Sequence, residues 1–130
     1  MSGPEVDVVI LTWNDGPLLG AAVDSALASE GVDVRVFVVD NGSDPRATVV
    51  DDERVTLVRN EANRGVAPGR NQGARLGGSP YICILDSDAR LLPDTLALLI
   101  EPLELAPSIA LAAPVFVGQT PEASAGRAPT

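Results

Sequence analysis

The chain has 130 residues, 45% of them hydrophobic, and a net charge of −9 at pH 7. This length can bury the core of one domain, and the acidic charge argues against nucleic acid or an anionic membrane as the main partner. Histidine and lysine are both absent from the sequence, which excludes histidine-assisted nucleophiles, imidazole metal sites and the lysine-bearing phosphate loop.

Strand and helix patterns alternate from the start of the chain. Val6–Leu11 is a short, β-branched apolar run, which is typical of a strand buried on both faces. We expect Asn14 or Asp15 to cap the helix that follows. Pro17 suits the first turn of that helix, and apolar residues then recur at helical spacing up to Gly31.

Two further strands precede a second helix. Val34–Val39 predicts the second strand, which ends in a dense turn signal at residues 40–44, and Val55–Val58 predicts a third, shorter one. The segment Asn60–Pro68 has the composition of a loop. A small helix is predicted over Gly69–Leu76, although its glycines lower the helical propensity of this stretch.

The fourth predicted strand, Tyr81–Leu85, contains the single cysteine, Cys83. We expect this cysteine to be a small buried hydrophobe, since no histidine exists to activate a catalytic thiol. A third helix is predicted over Pro93–Leu105, where Pro102 should end or kink it. Ile109–Val117 then predicts a fifth strand.

The end of the chain differs in composition from the rest. Residues 118–130 are rich in Gly, Pro, Ala, Ser and Thr, so we expect a flexible tail after one domain formed by residues 1–117. No apolar run approaches the roughly 20 residues of a membrane span. Residues 1–5 also lack the features of a secretory signal. We therefore expect a cytoplasmic protein, peripheral to the membrane if it serves a cell-envelope pathway.

The alternation of patterns predicts a three-layer α/β/α fold with a mostly parallel sheet, because buried parallel strands are joined by right-handed helical crossovers. In such sheets, ligands bind at the carboxyl ends of the strands. Polar clusters follow four of the predicted strands, namely Thr12-Trp13-Asn14, Asp40–Ser43, Asn60–Gly65 and Asp86-Ser87-Asp88. Their convergence on one edge of the sheet predicts a binding site.

The acidic turn Asp86-Ser87-Asp88 is the candidate metal site. A turn at the end of a strand can bring Asp86 and Asp88 together, and Mg²⁺ and Mn²⁺ prefer such oxygen ligands. The bound ion would offset the charge that develops on a leaving diphosphate. The alternative is a plain acidic turn in which Ser87 or Asp88 caps the next helix.

Asp40 and Trp13 are candidates for contacting a nucleobase. The Asp40 carboxylate can accept the imino N–H of uracil or thymine, and the alternative is that it only begins an Asx-turn. Trp13 is the sole tryptophan of the chain. Its ring offers a stacking surface for a base, and the alternative is that it packs against the domain.

A polar, glycine-spaced stretch opens the second predicted helix. Backbone N–H groups at Asn63–Gly65 and the guanidinium of Arg70 can approach a diphosphate near a helix N-terminus. The alternative is a loop of ordinary turn and capping residues. No Gly-x-Gly-x-x-Gly motif follows the first strand, which disfavours a dinucleotide as the ligand.

Taken in order, five segments resemble the GT-A-fold family 2 glycosyltransferases, and rhamnosyl- or galactofuranosyl-transferase-like members in particular. These segments are Val8–Asn14, Val38–Ser43, Asn60–Ala67, Arg70–Gly73 and Tyr81–Ala89. The resemblance extends over about residues 6–117. It implies the nucleotide-diphospho-sugar transferase fold, cut short in this sequence.

The resemblance also implies a nucleotide site and a metal site. Asp40 would hold the base edge beside Trp13, and Asp88 would be the principal ligand of Mn²⁺ or Mg²⁺. Asp86 would contact the ribose or the metal. The implied nucleotide-binding residues are Thr12, Trp13, Asn14, Asp40, Asn63, Gly65, Arg70, Asn71 and Asp86.

The implied activity is the inverting, metal-dependent transfer of a sugar from a UDP- or dTDP-sugar to an unknown sugar or lipid-linked acceptor. The family takes its carboxylate general base from a later motif that this sequence does not show, so the catalytic base is unassigned and we expect the isolated chain to be incomplete as an enzyme.

The alternative is a nucleotide-sugar-binding module without turnover, alone or as a homodimer through the exposed sheet edge Ile109–Val117. A nucleotidyltransferase is disfavoured, because the sequence contains no lysine and no glycine-rich phosphate loop.

Overall fold

The structure, a computed structural model, describes residues 3–106. Strands and helices follow one another in this range in the predicted order, including β3 directly after β2 with no helix between them. The elements are β1 (Glu5–Thr12), α1 (Leu18–Leu27), β2 (Asp33–Asp40), β3 (Val55–Arg59), α2 (Val66–Ala74), β4 (Tyr81–Asp86) and α3 (Thr95–Leu105). The predicted fifth strand, Ile109–Val117, and the predicted tail, 118–130, lie outside the described residues.

The strands form one parallel sheet in the order β3-β2-β1-β4. This arrangement confirms the predicted parallel α/β sheet. Because all strands run in the same direction, their carboxyl ends lie along one side of the sheet, here named the carboxyl edge. The polar clusters that follow β1, β2, β3 and β4 therefore meet at that edge, which is where ligands bind in folds of this type.

The main core lies between the sheet and helices α1 and α3. Alternate residues of β1 (Val6, Val8, Ile10) and β2 (Val34, Val36, Val38) point into it and are almost fully buried, together with Leu85, Leu96 and Ile100. Cys83 packs against this core, and burial raises the pKa of its thiol to about 11. The thiol is therefore protonated at neutral pH, as expected of a structural cysteine.

Helix α2 covers the opposite face of the sheet through its glycines. A Cβ atom at Gly69 would meet the side chain of Leu11, and one at Gly73 would meet Val9 and Val39. These glycines lowered the predicted helical propensity, but in the structure they allow the helix backbone to approach β1 and β2 closely. The helix also begins earlier than predicted, at Val66.

A single methyl group should therefore test this close approach. We expect Gly73→Ala to lower the free energy of unfolding by about 1–3 kcal/mol, because the added carbon overpacks the contact with Val9 and Val39. The matched control is Gly20→Ala in α1, where a Cβ meets no atom within 4 Å and the gain in helical propensity should add about 0.5–1 kcal/mol. Urea unfolding of both variants measures the difference, and destabilisation of equal size in both would contradict the packing role of Gly73.

Several predicted helix ends were wrong. No side chain caps α1, so Asn14 and Asp15 do not have the predicted role, and this helix ends at Leu27. Helix α3 begins at Thr95 instead of Pro93 and ends at Leu105 as predicted, so Pro102 does not end it. None of the helices in residues 3–106 is long and apolar enough to cross a membrane.

Candidate functional site

Two predicted site residues, Asp40 and Asp86, flank the end of β1 at the carboxyl edge. Asp40 on β2 lies opposite Thr12, and Asp86 on β4 lies opposite Leu11. Their Cα atoms are therefore about 10 Å apart, which is two strand spacings. Successive residues of a strand point to opposite faces, so the Asp40 side chain lies on the α1 face and that of Asp86 on the α2 face. The two carboxylates share an edge but not a face.

The Asp40 carboxylate is held entirely by donors of the protein. Oδ1 accepts the backbone N–H of Ser43 at 2.9 Å, and Oδ2 accepts the N–H of Ala47 at 2.9 Å and Nη1 of Arg59 at 2.7 Å. Burial of Asp40 would by itself raise the pKa, but these hydrogen bonds hold the pKa below its ordinary value of 3.8. Asp40 thus orders the segment 43–47, and its direct contact with a base stays a prediction.

The loop after β3 is built by interlocking side-chain amides. Asn41 Nδ2 donates to Oδ1 of Asn63 at 3.1 Å and to the carbonyl of Gly65 at 3.2 Å. Asn60 donates to Asn41 at 3.1 Å and exchanges two hydrogen bonds with Gln72 at 2.8 and 2.9 Å. The predicted ligand residues Asn63 and Gly65 therefore also shape the loop. Sequence reasoning included Asn41, Asn60 and Gln72 in the polar clusters and matching segments but missed their pairing, which depends on the sheet register.

A glycine allows this loop to approach the one after β2. Gly42 has a positive φ of 89°, and a Cβ there would lie 2.9 Å from the backbone of Ala62 and Asn63. Any other residue would be strained by its backbone and by this contact. The two loops are therefore packed together at the carboxyl edge. Asn71, another predicted nucleotide-binding residue, lies exposed on the adjacent helix α2.

The first loop, 12–17, is tied to the loop after β2. Asn14, which has a positive φ of 56°, donates its backbone N–H to Ser43 Oγ and accepts the N–H of Asp44, both at 2.9 Å. Between these loops lies a cleft of about 410 Å³, lined by residues 12, 14–17, 19 and 43–48. Thr12 and Asn14 line this cleft, whereas Asp40, Asp86 and Asp88 are outside its described lining. Trp13 stands beside it with 53% of its surface exposed.

Asp15 joins the first loop to the acidic turn. Its Oδ2 accepts hydrogen bonds from Thr12 Oγ1 at 2.8 Å, from the Trp13 amide at 3.1 Å and from the hydroxyl of Ser87. Although burial would raise the pKa of Asp15, the hydrogen bonds from Ser87, Thr12 and Trp13 hold it below 3.8. Sequence reasoning missed this role, because the local pattern favours a helix cap and gives no sign of a partner in the turn after β4.

The acidic turn presents two accessible carboxylates. Asp86 is 61% exposed, and its Oδ1 accepts a hydrogen bond from Nη2 of Arg70 at 3.0 Å. Asp88 is exposed and takes part in no ion pair within residues 3–106. Neither Ser87 nor Asp88 caps a helix, because α3 begins only at Thr95. The plain capping alternative is therefore wrong.

The carboxylates of this turn suit a hard divalent cation whose remaining coordination positions are filled by phosphate oxygens and water. Within the described range, no group of three or more His, Cys, Asp or Glu side chains is arranged to hold a metal ion. The protein would then supply at most the carboxylates of Asp86 and Asp88. Mg²⁺ is commonly held by one or two carboxylates together with phosphate oxygens and water, so the residues present fit such a site.

The comparison with known proteins decides the family. The sequence profile described as "Glycosyl transferase family 2" matches residues 7–127. The chain belongs to glycosyltransferase family 2. A relative of this family 2 chain is the succinoglycan biosynthesis protein ExoO of Rhizobium meliloti, 37% identical over 102 residues, which cover 75% of this chain and 29% of ExoO.

Solved structures show that the family 2 chain has the GT-A fold. The mannosyltransferase PcManGT of Pyrobaculum calidifontis, in complex with GDP-Man and Mn²⁺, is 26% identical with a TM-score of 0.66, over 79% of this chain and 33% of PcManGT. TarS of S. aureus (residues 1–349), in complex with UDP-GlcNAc, is 19% identical with a TM-score of 0.62, over 77% of this chain and 32% of TarS. The chain thus spans about a third of the length of these relatives.

Proposed function

We propose that this chain carries the donor-binding part of an inverting, metal-dependent glycosyltransferase that uses a UDP- or dTDP-sugar. The observation that carries the proposal is the meeting of Trp13, Arg70 and the acidic turn at the carboxyl edge of a GT-A sheet. The finer likeness to rhamnosyl- or galactofuranosyl-transferases stays a prediction. PcManGT and TarS, with GDP-Man and UDP-GlcNAc, make a nucleotide sugar the natural class of donor to test.

The first loop and the loop after β2 would receive the nucleoside. About half of the surface of Trp13 is exposed, and base stacking on an aromatic ring contributes about 1–3 kcal/mol. The Trp13 backbone is fixed by its hydrogen bond to Asp15, so the loop that carries the ring is ordered before a ligand binds. Asp40 stabilises the neighbouring segment and is the candidate acceptor for the base edge, with Thr12 and Asn14 beside it.

The acidic turn would receive the diphosphate. A free diphosphate is repelled by a chain of net charge −9 and by the exposed Asp86 and Asp88, so positive charge must be present at this point. A bound Mn²⁺ or Mg²⁺ supplies that charge and stabilises the leaving diphosphate. The Arg70 guanidinium, now paired with Asp86, is the second source of positive charge, and it lies on the helix that Asn63 and Gly65 precede.

The described residues assign neither the acceptor site nor the catalytic base. We propose a sugar or a lipid-linked sugar as the acceptor, in keeping with the role in succinoglycan biosynthesis named for ExoO. The alternative function is a nucleotide-sugar-binding module without turnover, alone or as a homodimer. Dimerisation through Ile109–Val117 concerns residues outside the described range and stays a prediction.

Calorimetric titration of the 130-residue chain with UDP, dTDP and GDP tests the proposal. We expect UDP or dTDP to bind in Mn²⁺ at least tenfold more tightly than in EDTA, because charge neutralisation of a diphosphate by a divalent ion is worth well over 1.4 kcal/mol. Adenosine diphosphate, which does not belong to the proposed donor class, is the control. Binding of neither UDP nor dTDP by a folded sample would refute the proposed donor, and binding of GDP alone would point to a guanosine-linked donor instead. Transfer of sugar from the matching donor then separates an enzyme from a binding module.

A further inference from the structure

The acidic turn is fastened to the first loop by one hydrogen bond between distant parts of the chain. The hydroxyl of Ser87, at the centre of the turn, donates to Oδ2 of Asp15 in the loop after β1. We infer that Asp15 and Ser87 are a positioning pair, which sets the acidic turn at a fixed place relative to the loop that carries Trp13. This inference rests on the proposed function, because it concerns how the metal-binding and base-binding parts of that site are joined.

The geometry at Asp15 explains why its hydrogen bond with Ser87 can hold the first loop and the acidic turn together. The same oxygen, Oδ2, accepts from the Thr12 hydroxyl and from the Trp13 amide, which fixes the first loop upon itself. The Ser87 hydroxyl is the third donor to this oxygen and comes from a residue 72 positions later. Movement of the turn is therefore coupled to Thr12 and Trp13, which share the Asp15 oxygen with Ser87.

The turn is held from its other side by helix α2. Arg70 donates to Asp86 at 3.0 Å, and the turn closes on itself through the hydrogen bond from the Ala89 amide to the Asp86 carbonyl, also at 3.0 Å. Asp88 lies between these two fixed points and is exposed. Its carboxylate is thus presented to solvent by a turn that Asp15 restrains at Ser87 and Arg70 restrains at Asp86.

Loss of the Ser87 hydroxyl should act on the metal-dependent part of ligand binding. The residue that would hold the cation, Asp88, is its direct neighbour, whereas Trp13 keeps its own hydrogen bond to Asp15. Groups that orient metal ligands without touching the metal typically contribute about 10- to 100-fold to metal affinity. Ser87→Ala also leaves every charge in place, so any change reflects position and not electrostatics.

The test compares three variants of the 130-residue chain by titration with the nucleotide that the wild type binds, in EDTA and in Mn²⁺. The measured quantity is the ratio of the dissociation constant in EDTA to the dissociation constant in Mn²⁺. Ser87→Ala should lower this ratio about tenfold and leave the dissociation constant in EDTA within about twofold of the wild type. Ser87→Thr, which keeps a hydroxyl donor, should restore most of the ratio.

Ser79→Ala is the matched control. Its hydroxyl donates to Asp7 Oδ1 at 2.6 Å, and this serine–aspartate bond also joins residues 72 positions apart, but at the opposite edge of the sheet. Asp7 is buried, so Ser79→Ala should reduce stability at least as much as Ser87→Ala while leaving the ratio unchanged.

An unchanged ratio in Ser87→Ala, or an equal fall in Ser79→Ala, would overturn the inference while the proposed function stands. A wild-type ratio of one would instead remove the proposed metal-dependent site, and the positioning role with it.

Discussion

Asp88→Ala is expected to remove the gain in nucleotide affinity that Mn²⁺ gives the wild type. The loss should equal that gain, about tenfold or more, since a direct ligand contributes at least as much as the groups that orient it. Asp88 is exposed and forms no ion pair in residues 3–106, so its removal should change the free energy of unfolding by no more than about 0.5 kcal/mol. Calorimetry in Mn²⁺ and in EDTA, with urea unfolding alongside, measures both effects.

The control for this variant is Asp94→Ala, which removes one carboxylate from the same connection between β4 and α3. The neighbouring Pro93 accepts the backbone N–H of Glu30, just after α1, and therefore lies near the amino edge of the sheet. The two variants change the net charge equally, so only Asp88→Ala should lose the effect of Mn²⁺. Equal losses would indicate that general charge, and not a metal site at the turn, accounts for the dependence.

Asp40→Ala is expected to be the most destabilising of these substitutions, lowering the free energy of unfolding by about 3 kcal/mol or more. At a position that is 1% exposed, it leaves the backbone N–H groups of Ser43 and Ala47 without their acceptor, and it leaves Arg59 Nη1 with only the Ser43 carbonyl. The control is Asp52→Ala, which breaks the surface pair with Arg54 and should change the free energy of unfolding far less. Urea unfolding at pH 7 gives both values, and similar losses in the two variants would contradict the structural role of Asp40.

The effect of Asp40 should also depend on pH in one direction. Its pKa in the folded chain lies below the ordinary value of 3.8, so the stabilisation is complete above that value and is lost as the pH falls through the folded pKa. The difference in unfolding free energy between the wild type and Asp40→Ala should therefore be constant from pH 7 to about 5 and shrink below about pH 4. A difference that grows as the solution is acidified would contradict the lowered pKa.

The strands and their shared edge could be predicted because their signals are local. Runs such as Val6–Leu11 and Val34–Val39 are β-branched, continuous and followed at once by polar turn residues, and both became buried strands of a parallel sheet. Helix α2 was harder to predict, because glycine lowers helical propensity whatever its purpose. Only the packing of Gly69 and Gly73 against β1 shows why glycine stands there.

The arrangement of the candidate site depended on contacts that no local pattern carries. Asp15 was predicted to cap a helix from its neighbours, whereas its partner Ser87 is reached only after β4 returns to the side of β1. The Asp40 carboxylate meets Arg59 because those two residues lie opposite each other on β2 and β3. The pairing of β1 with β2 and with β4 places Asp40 and Asp86 on opposite faces, whereas sequence reasoning expected Asp40 and the acidic turn to border one cleft.

The central claim is that a nucleotide and a divalent ion meet at the carboxyl edge beside the acidic turn. Paramagnetic broadening of backbone amide signals by Mn²⁺, with Mg²⁺ as the diamagnetic reference and the bound nucleotide present, tests it most directly. We expect the strongest broadening at residues 86–89, followed by the first loop at 13–15 and by Arg70. Broadening centred on the acidic residues 51–53, or spread evenly over the chain, would show that the ion binds elsewhere.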